Sequence, residues 1–312
     1  MQVNQQKIVV LGTGGTLAGT AADPADNLGY RAGALPIATV LASVPALRGL
    51  PLESEEIARI DSKDMSFAVW RALAARCGQL LARPDVAGIV IGHGTDTLEE
   101  TAFFLQSVLA PTKPLVITGA MRPATSIAPD GPQNLVDAVA VALTPGASGV
   151  VAVCAGTVHG ARDVAKQHTY RLDAFTSGDA GPLGYVEERA VRLLRPWPTG
   201  AAPAGALERV LAAVRWPRVE IVVSHAGADG ALVEALLAQG VEGLVVAATG
   251  NGTVHADLEA ALVRAQAGGV QVVRASRCAQ GRVQDTPHDR LAHAGGLSPV
   301  KARIALLLEL LA

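Results

Sequence analysis

Short apolar runs alternate along this chain with glycine- and threonine-rich loops and with stretches whose apolar positions recur every three to four residues. Residues 7–11 form the first run, followed by TGGTLAG. Residues 87–91 form the second, followed by GHGTDT and a helical stretch over 98–109. Residues 114–118 form the third, followed by GAMRP and a helical stretch over 132–143, and residues 149–154 form the fourth. Runs this short and this rich in Val and Ile predict buried parallel strands rather than helices. Their alternation with helical stretches predicts βαβ units, a sheet with helices on both faces.

Over residues 196–217 the pattern lapses. The segment PWPTGAAPAG has neither a strand nor a helix period and reads as an interdomain linker. The rhythm then resumes on a smaller scale. It predicts strands over 219–223, 243–247 and 270–273, and helices over 231–238, 256–267 and 299–311. The reading is therefore an α/β protein of two doubly wound domains. A larger N-terminal domain (1–195), with a mostly parallel sheet, precedes the linker (196–217) and a smaller C-terminal α/β domain (218–312).

Composition narrows the class. Half of the 312 residues are hydrophobic but only 3% are aromatic, so the core must be built from Ala, Val, Leu and Ile. A formal net charge of −2 and the lack of a Lys/Arg-rich run argue against nucleic acid. No stretch of 18 or more apolar residues is free of charges and breakers, so no membrane span is expected. The start, MQVNQQKIVVLG, does not read as a signal peptide. Cys77, Cys154 and Cys278 are too scattered and odd in number for a disulfide framework. The expected compartment is the cytoplasm, or the periplasm if a leader has been removed.

Ligands of open α/β sheets sit at the carboxyl ends of the strands. Three loops there carry chemistry: Thr13-Gly14-Gly15-Thr16, His93-Gly94-Thr95-Asp96-Thr97 and Gly119-Ala120-Met121-Arg122. The first is not a dinucleotide loop, since counting from Gly12 the sixth position is Leu17, and no Gly-Lys-Ser/Thr follows. Strand-to-helix packing explains its glycines but not its threonines. In the second, Thr97 could cap the helix beginning at Leu98, with Glu100 completing a capping box. That leaves Thr95 and Asp96 without a capping task. Farther on stands Gly160-Ala161-Arg162-Asp163-Val164-Ala165-Lys166. No serine elbow, zinc motif or metal-like histidine spacing is present, so a hydrolase here would need a hydroxyl nucleophile activated some other way.

Taken in order, TGGTLAG (13–19), HGTDTLEETAFFL (93–105), KPLVITGAMRP (113–123), IAPDGPQNL (127–135), DVAK (163–166), GPLGY (181–185) and GNG (250–252) resemble the bacterial-type L-asparaginase and glutaminase-asparaginase family across essentially the whole chain. The resemblance implies a two-domain amidohydrolase without cofactor or metal, acting on a small-molecule amide and assembled as a homotetramer of paired dimers. It implies Thr16 as nucleophile with Tyr30 beside it, and Thr95, Asp96 and Lys166 as a second cluster. Ser62 and Asp96 would hold the substrate's α-carboxylate and α-amino group. Gly15, Lys63, Gly94 and Ala120 complete the expected substrate-binding set. A carboxylate at Asp96 favours the ammonium form of Lys166. The expected division of labour therefore gives Asp96 the substrate amine and lets Thr95 mediate between Lys166 and the reacting centre, with backbone N–H groups of the Gly94–Thr95 turn as oxyanion donors. Whether Thr16 or Thr95 attacks first, and whether water attacks an ester or the amide itself, stay open at this level.

Three positions depart from the family pattern. Lys63 stands in Ser62-Lys63-Asp64-Met65 where a neutral or acidic residue is usual; it either faces solvent or, turned inward, would suit a carboxylate and repel an α-ammonium. Thr253 follows GNG where an Asn is common, and Pro287 falls near an expected Glu. L-Asparagine is the expected substrate, with glutamine, D-asparagine or another small amide as alternatives. A catalytically silent amino-acid-binding protein and a nucleotide-dependent enzyme are the readings from other classes.

Overall fold

The computed structural model describes residues 6–311; the opening residues 1–5, part of the start read as no signal peptide, lie outside them. The chain divides into two compact units that meet between Leu207 and Glu208.

In the first unit the strands are β1 (Lys7–Gly14), β2 (Leu52–Ile60), β3 (Val86–Gly92), β4 (Pro114–Thr118), β5 (Gly149–Cys154), β6 (Thr157–Gly160), β7 (Ala165–Lys166), β8 (Phe175–Thr176), β9 (Gly184–Glu187) and β10 (Ala190–Leu193). The helices are α1 (Ile37–Ala42), α2 (Phe67–Leu81), α3 (Leu98–Leu109) and α4 (Gly131–Leu143). Eight strands form one sheet in the order β10-β9-β6-β5-β4-β3-β1-β2. The five from β2 to β5 run parallel, as the apolar runs predict. Beyond β5 three antiparallel strands extend the sheet. They are four residues each, and β10 is largely exposed, so they lack the unbroken apolar run that marks a buried parallel strand.

β2 is likewise invisible to that signal. It is an edge strand with the sequence LESEEIARI and no fully buried residue, charged as exposed edges usually are. The central strands are covered on both faces. Ile8, Val10, Val90, Val116 and Val151 belong to a core cluster with Leu135 and Val139 of α4 and Ile37 and Val40 of α1.

Helix α5 (Ala206–Ala212) lies inside the stretch read as a linker; its single buried residue, Val210, leaves no clear amphipathic period. The second unit holds β11 (Val219–Val223), α6 (Ala231–Ala238), β12 (Gly243–Ala248), α7 (Ala256–Ala267), β13 (Gln271–Ser276), β14 (Ala292–His293) and α8 (Pro299–Leu310). Its four strands are parallel, in the order β11-β12-β13-β14. None of the described helices is long and apolar enough to cross a membrane.

Candidate active site

Strand order locates the site. The chain leaves β1 for β2 on one side and returns as β3 on the other, so β1 and β3 are neighbours from which consecutive connections depart in opposite directions. A crevice opens at the carboxyl ends of such a pair. The register pairs Gly12 with Gly92 at that edge, which brings the loop after β1 and the loop after β3 side by side.

The approach is backbone to backbone. A Cβ on Gly15 would lie 2.4 Å from both Cα and N of Gly94, and Gly15 also has φ +73°. A Cβ on Gly94 would lie 2.5 Å from the Ser62 hydroxyl. Any side chain at either position would push the loops apart. Both glycines are therefore required to set Thr16 and Thr95, each almost fully buried, in neighbouring turns.

Each threonine hydroxyl has a polar partner. Thr16 Oγ1 lies 2.6 Å from Tyr30 Oη. Burial pushes the Tyr30 phenol above its usual range, and the Asp61 and Asp96 charges add to this against the opposing bond to Thr16, so Tyr30 stays protonated. Lys166 Nζ donates to Thr95 Oγ1 at 2.8 Å and to Asp96 Oδ1 at 2.6 Å. Asp96 is further tied by its backbone N–H, which donates to Ser62 Oγ at 3.1 Å.

Thr97 occupies the N-cap position of α3, but its hydroxyl makes no cap bond. It donates instead to the Ser62 carbonyl at 2.8 Å. The Thr97 half of the expected capping box is thus replaced by a tie between the Asp96 loop and the Ser62 turn. Ala120 is buried in the third loop. Lys63 lies exposed and pairs with its neighbour Asp64, while Asp61 lies 3.9 Å away. Of the two orientations open in the sequence, the structure has the solvent-facing one.

Several supporting residues carry no role in the sequence reading. Glu99, in the first turn of α3, accepts the backbone N–H of Lys166 at 3.1 Å and so holds the short strand β7 in place. Asp130 accepts from the N–H groups of Met121 and Arg122, both at 2.9 Å. Asn134 donates to Gly119 O at 2.9 Å and accepts from Ala155 N at 3.0 Å. Asp130 and Asn134 stand in the IAPDGPQNL motif, which was their only signal. In the second unit, Thr253 closes a small bridge with Thr249, backbone to backbone and hydroxyl to hydroxyl at 2.8 Å. Asn251 of GNG exchanges hydrogen bonds with the backbone of Gln284, and Pro287 is exposed. Among the described residues no cluster of three His, Cys, Asp or Glu side chains is arranged to hold a metal.

Comparison with known proteins gives a consistent set of matches. Residues 7–199 match the family model "Asparaginase, N-terminal", and residues 218–312 match "Glutaminase/Asparaginase C-terminal domain". The chain is 38% identical to the probable periplasmic L-asparaginase of Haemophilus influenzae and 36% identical to L-asparaginase 2 of Escherichia coli. Each alignment covers 97% of this chain and 88% of the relative. A glutaminase-asparaginase of Pseudomonas fluorescens is 35% identical over 97% of this chain and 86% of its own length. The crystal structure of a probable cytoplasmic L-asparaginase from Campylobacter jejuni superposes with a TM-score of 0.92 at 36% identity, over 98% of this chain and 95% of that one.

Proposed function

The chain belongs to the asparaginase family, and on that premise we propose that it hydrolyses L-asparagine to L-aspartate and ammonia through a threonine nucleophile. The observation that carries this reading is the pairing of Lys166 Nζ with both Thr95 Oγ1 and Asp96 Oδ1 in the loop packed against the one that bears Thr16. A binding protein has no need of a buried hydroxyl joined to a lysine beside a second buried hydroxyl.

In the proposed sequence Thr16 Oγ1 bonds to the side-chain amide carbon of the substrate as its proton passes to a neighbouring acceptor. The carbonyl oxygen takes up negative charge and is met by the Thr95 backbone N–H. One such donor is typically worth roughly 3 kcal/mol of barrier. The C–N bond then breaks, and the nitrogen gains a proton and leaves as ammonia. Water adds to the resulting threonine ester, releases aspartate and restores the hydroxyl. Tyr30 holds the Thr16 oxygen in line and shields it from bulk water. Ser62 and Asp96 receive the substrate's α-carboxylate and α-amino groups. The position of Lys63 in solvent supports an α-amino site free of an added cation, as any α-amino-acid amide requires.

The same reading takes residues 1–195 and 218–312 as domains joined by 196–217, and the active form as a cytoplasmic homotetramer. Sedimentation and cell fractionation test those parts. The decisive assay measures ammonia released by the purified protein from L-asparagine, L-glutamine and D-asparagine, with a chelator present. Release from L-asparagine well above the other two is expected. Release only from another amide would redirect the substrate, and no release from any of the three would overturn the reading.

A further inference from the structure

Beneath the Gly94–Thr95 turn lies a chain of side chains that the reaction does not touch. Trp70 of α2 donates its Nε1–H to Thr101 Oγ1 at 2.9 Å. Thr101 Oγ1 lies 3.0 Å from His93 Nε2. His93 Nδ1 lies 2.6 Å from the Gly94 carbonyl oxygen. Thr101 and His93 are fully buried, and Trp70 nearly so. Trp70 is itself held by stacking on Phe104 of α3, with ring centroids 4.7 Å apart and planes at 10°.

Donor and acceptor capacity fixes every proton in this chain. An indole N–H can only donate. Thr101 must therefore accept from Trp70. At the other end the Gly94 carbonyl can only accept, so His93 Nδ1 carries the hydrogen. The ring is fully buried and neutral, which leaves Nε2 unprotonated as the acceptor of the Thr101 hydroxyl proton. The Gly94 carbonyl and the Thr95 N–H are opposite ends of one planar trans peptide. Holding the carbonyl toward His93 turns the Thr95 N–H the other way, and that N–H donates to no protein acceptor among the described residues.

We infer that Trp70, Thr101 and His93 form a buried positioning relay that sets the rotation of the Gly94–Thr95 peptide and so aims the Thr95 N–H at the developing oxyanion. The relay rests on the proposed amidohydrolase reading for its purpose but not for its proton arrangement. Burial holds His93 neutral, with its pKa pushed down to about 4, so only one of its ring nitrogens carries hydrogen. The relay also accounts for a histidine at the head of a reactive loop that takes no part in proton transfer to substrate.

The test separates arrangement from purpose. In protein labelled with 15N-histidine, the resonance lost in His93→Gln identifies His93. It should show a protonated Nδ1 and an unprotonated Nε2, and the Nδ1–H pattern should weaken in Thr101→Val. Activity supplies the second arm. Thr101→Val should lower kcat by about tenfold to a hundredfold, the scale on which misplaced catalytic groups act, with KM changed about twofold or less. Thr101→Ser should restore most of the rate. If Thr101→Val does not fold, Trp70→Phe removes only the terminal donor and should give a mixed tautomer and an intermediate kcat. An Nε2–H tautomer in the parent protein would overturn the relay even if no amide proved to be a substrate. So would a Thr101→Val protein with parental kcat, or a Thr101→Ser protein with no rescue. A parent protein inactive on every amide but with the Nδ1–H tautomer would sink the function and leave the relay's geometry standing.

Discussion

Thr16 is buried, bonded to Tyr30, and placed where β1 gives way to its loop. Thr16→Ala should fold with a thermal midpoint close to the parent's yet lose turnover by roughly 10⁴-fold or more, as enzymes do on losing the attacking group; substantial ammonia release by the folded variant would remove Thr16 from its role. Lys166→Met should cost on the order of 10²- to 10⁴-fold in kcat, the range of a positioned proton-transfer group, because Thr95 loses its partner and Asp96 is left without a cation. Tyr30 adds a pH signature. Because its phenol is held above the usual value of 10.0, chiefly by burial, any alkaline loss of rate that depends on Tyr30 should begin above that pH and be absent from the profile of Tyr30→Phe. At this scale the candidate residues are visible in the sequence only as hydroxyls beside glycines at strand ends, and the structure sorts them, giving Thr13 and Thr97 backbone carbonyls to serve and leaving Thr16 and Thr95 to Tyr30 and Lys166. Glu99 and the Trp70–Thr101–His93 chain do not stand out at all, since a helix-start glutamate and a buried histidine look alike with or without a catalytic loop to hold.

At the scale of elements, glycines with no room for a Cβ, such as Gly15 and Gly94, differ from those that stand in open space. Gly15 and Gly94 have backbone or Ser62 atoms where a Cβ would go, whereas Gly146 has nothing within 4 Å and only its φ of +77° to strain a substitution. Gly146→Ala should therefore cost about 1 kcal/mol of stability, the usual penalty for a non-glycine residue in this conformation, with kcat unchanged. Gly15→Ala and Gly94→Ala should lose most activity, because the loops cannot part without moving Thr16 from Thr95 and Ser62 from Asp96. Urea midpoints and kcat measured on the three variants would check this, and a Gly94→Ala enzyme with parental kcat would contradict it. Several buried elements were readable, since α3, β4, β5 and β11 lie where the apolar pattern puts them, whereas α2, which buries Trp70, Leu73 and Leu80, was not. The pattern fails for β2 and β10 because exposed edge strands have no apolar run to betray them, and for β6 and β9 because four residues are too few to make one. It fails in a different way for Thr97, whose hydroxyl serves the Ser62 carbonyl instead of its own helix.

Across the whole molecule, two buried histidines tie stability to pH. Burial lowers His93 and His159 from 6.5 to about 4 in the folded protein. The unfolded chain takes up protons on both as pH falls below 6.5, and the native protein does not until about 4. Their contribution is therefore complete above pH 6.5 and is lost as pH drops toward 4, on the order of 3 kcal/mol per histidine. The urea midpoint should fall between pH 7 and pH 4.5, and His159→Gln, whose ring is bonded to Ser177 and lies outside the proposed site, should flatten that dependence; an unaltered slope would contradict it. Sequence by itself determined the α/β class, the buried parallel strands and the glycine-rich loops at their ends, because burial on both faces of a sheet and the conformational demands of tight loops leave a local imprint on composition and period. Only the tertiary structure decided that β1 and β3 are neighbours, that Lys166 comes from a two-residue strand to reach Thr95 and Asp96, that Lys63 turns to solvent, and that Trp70 is linked through Thr101 and His93 to the Gly94 carbonyl. Such pairings join residues far apart in the chain, and no local period records which distant group will satisfy a given hydrogen bond.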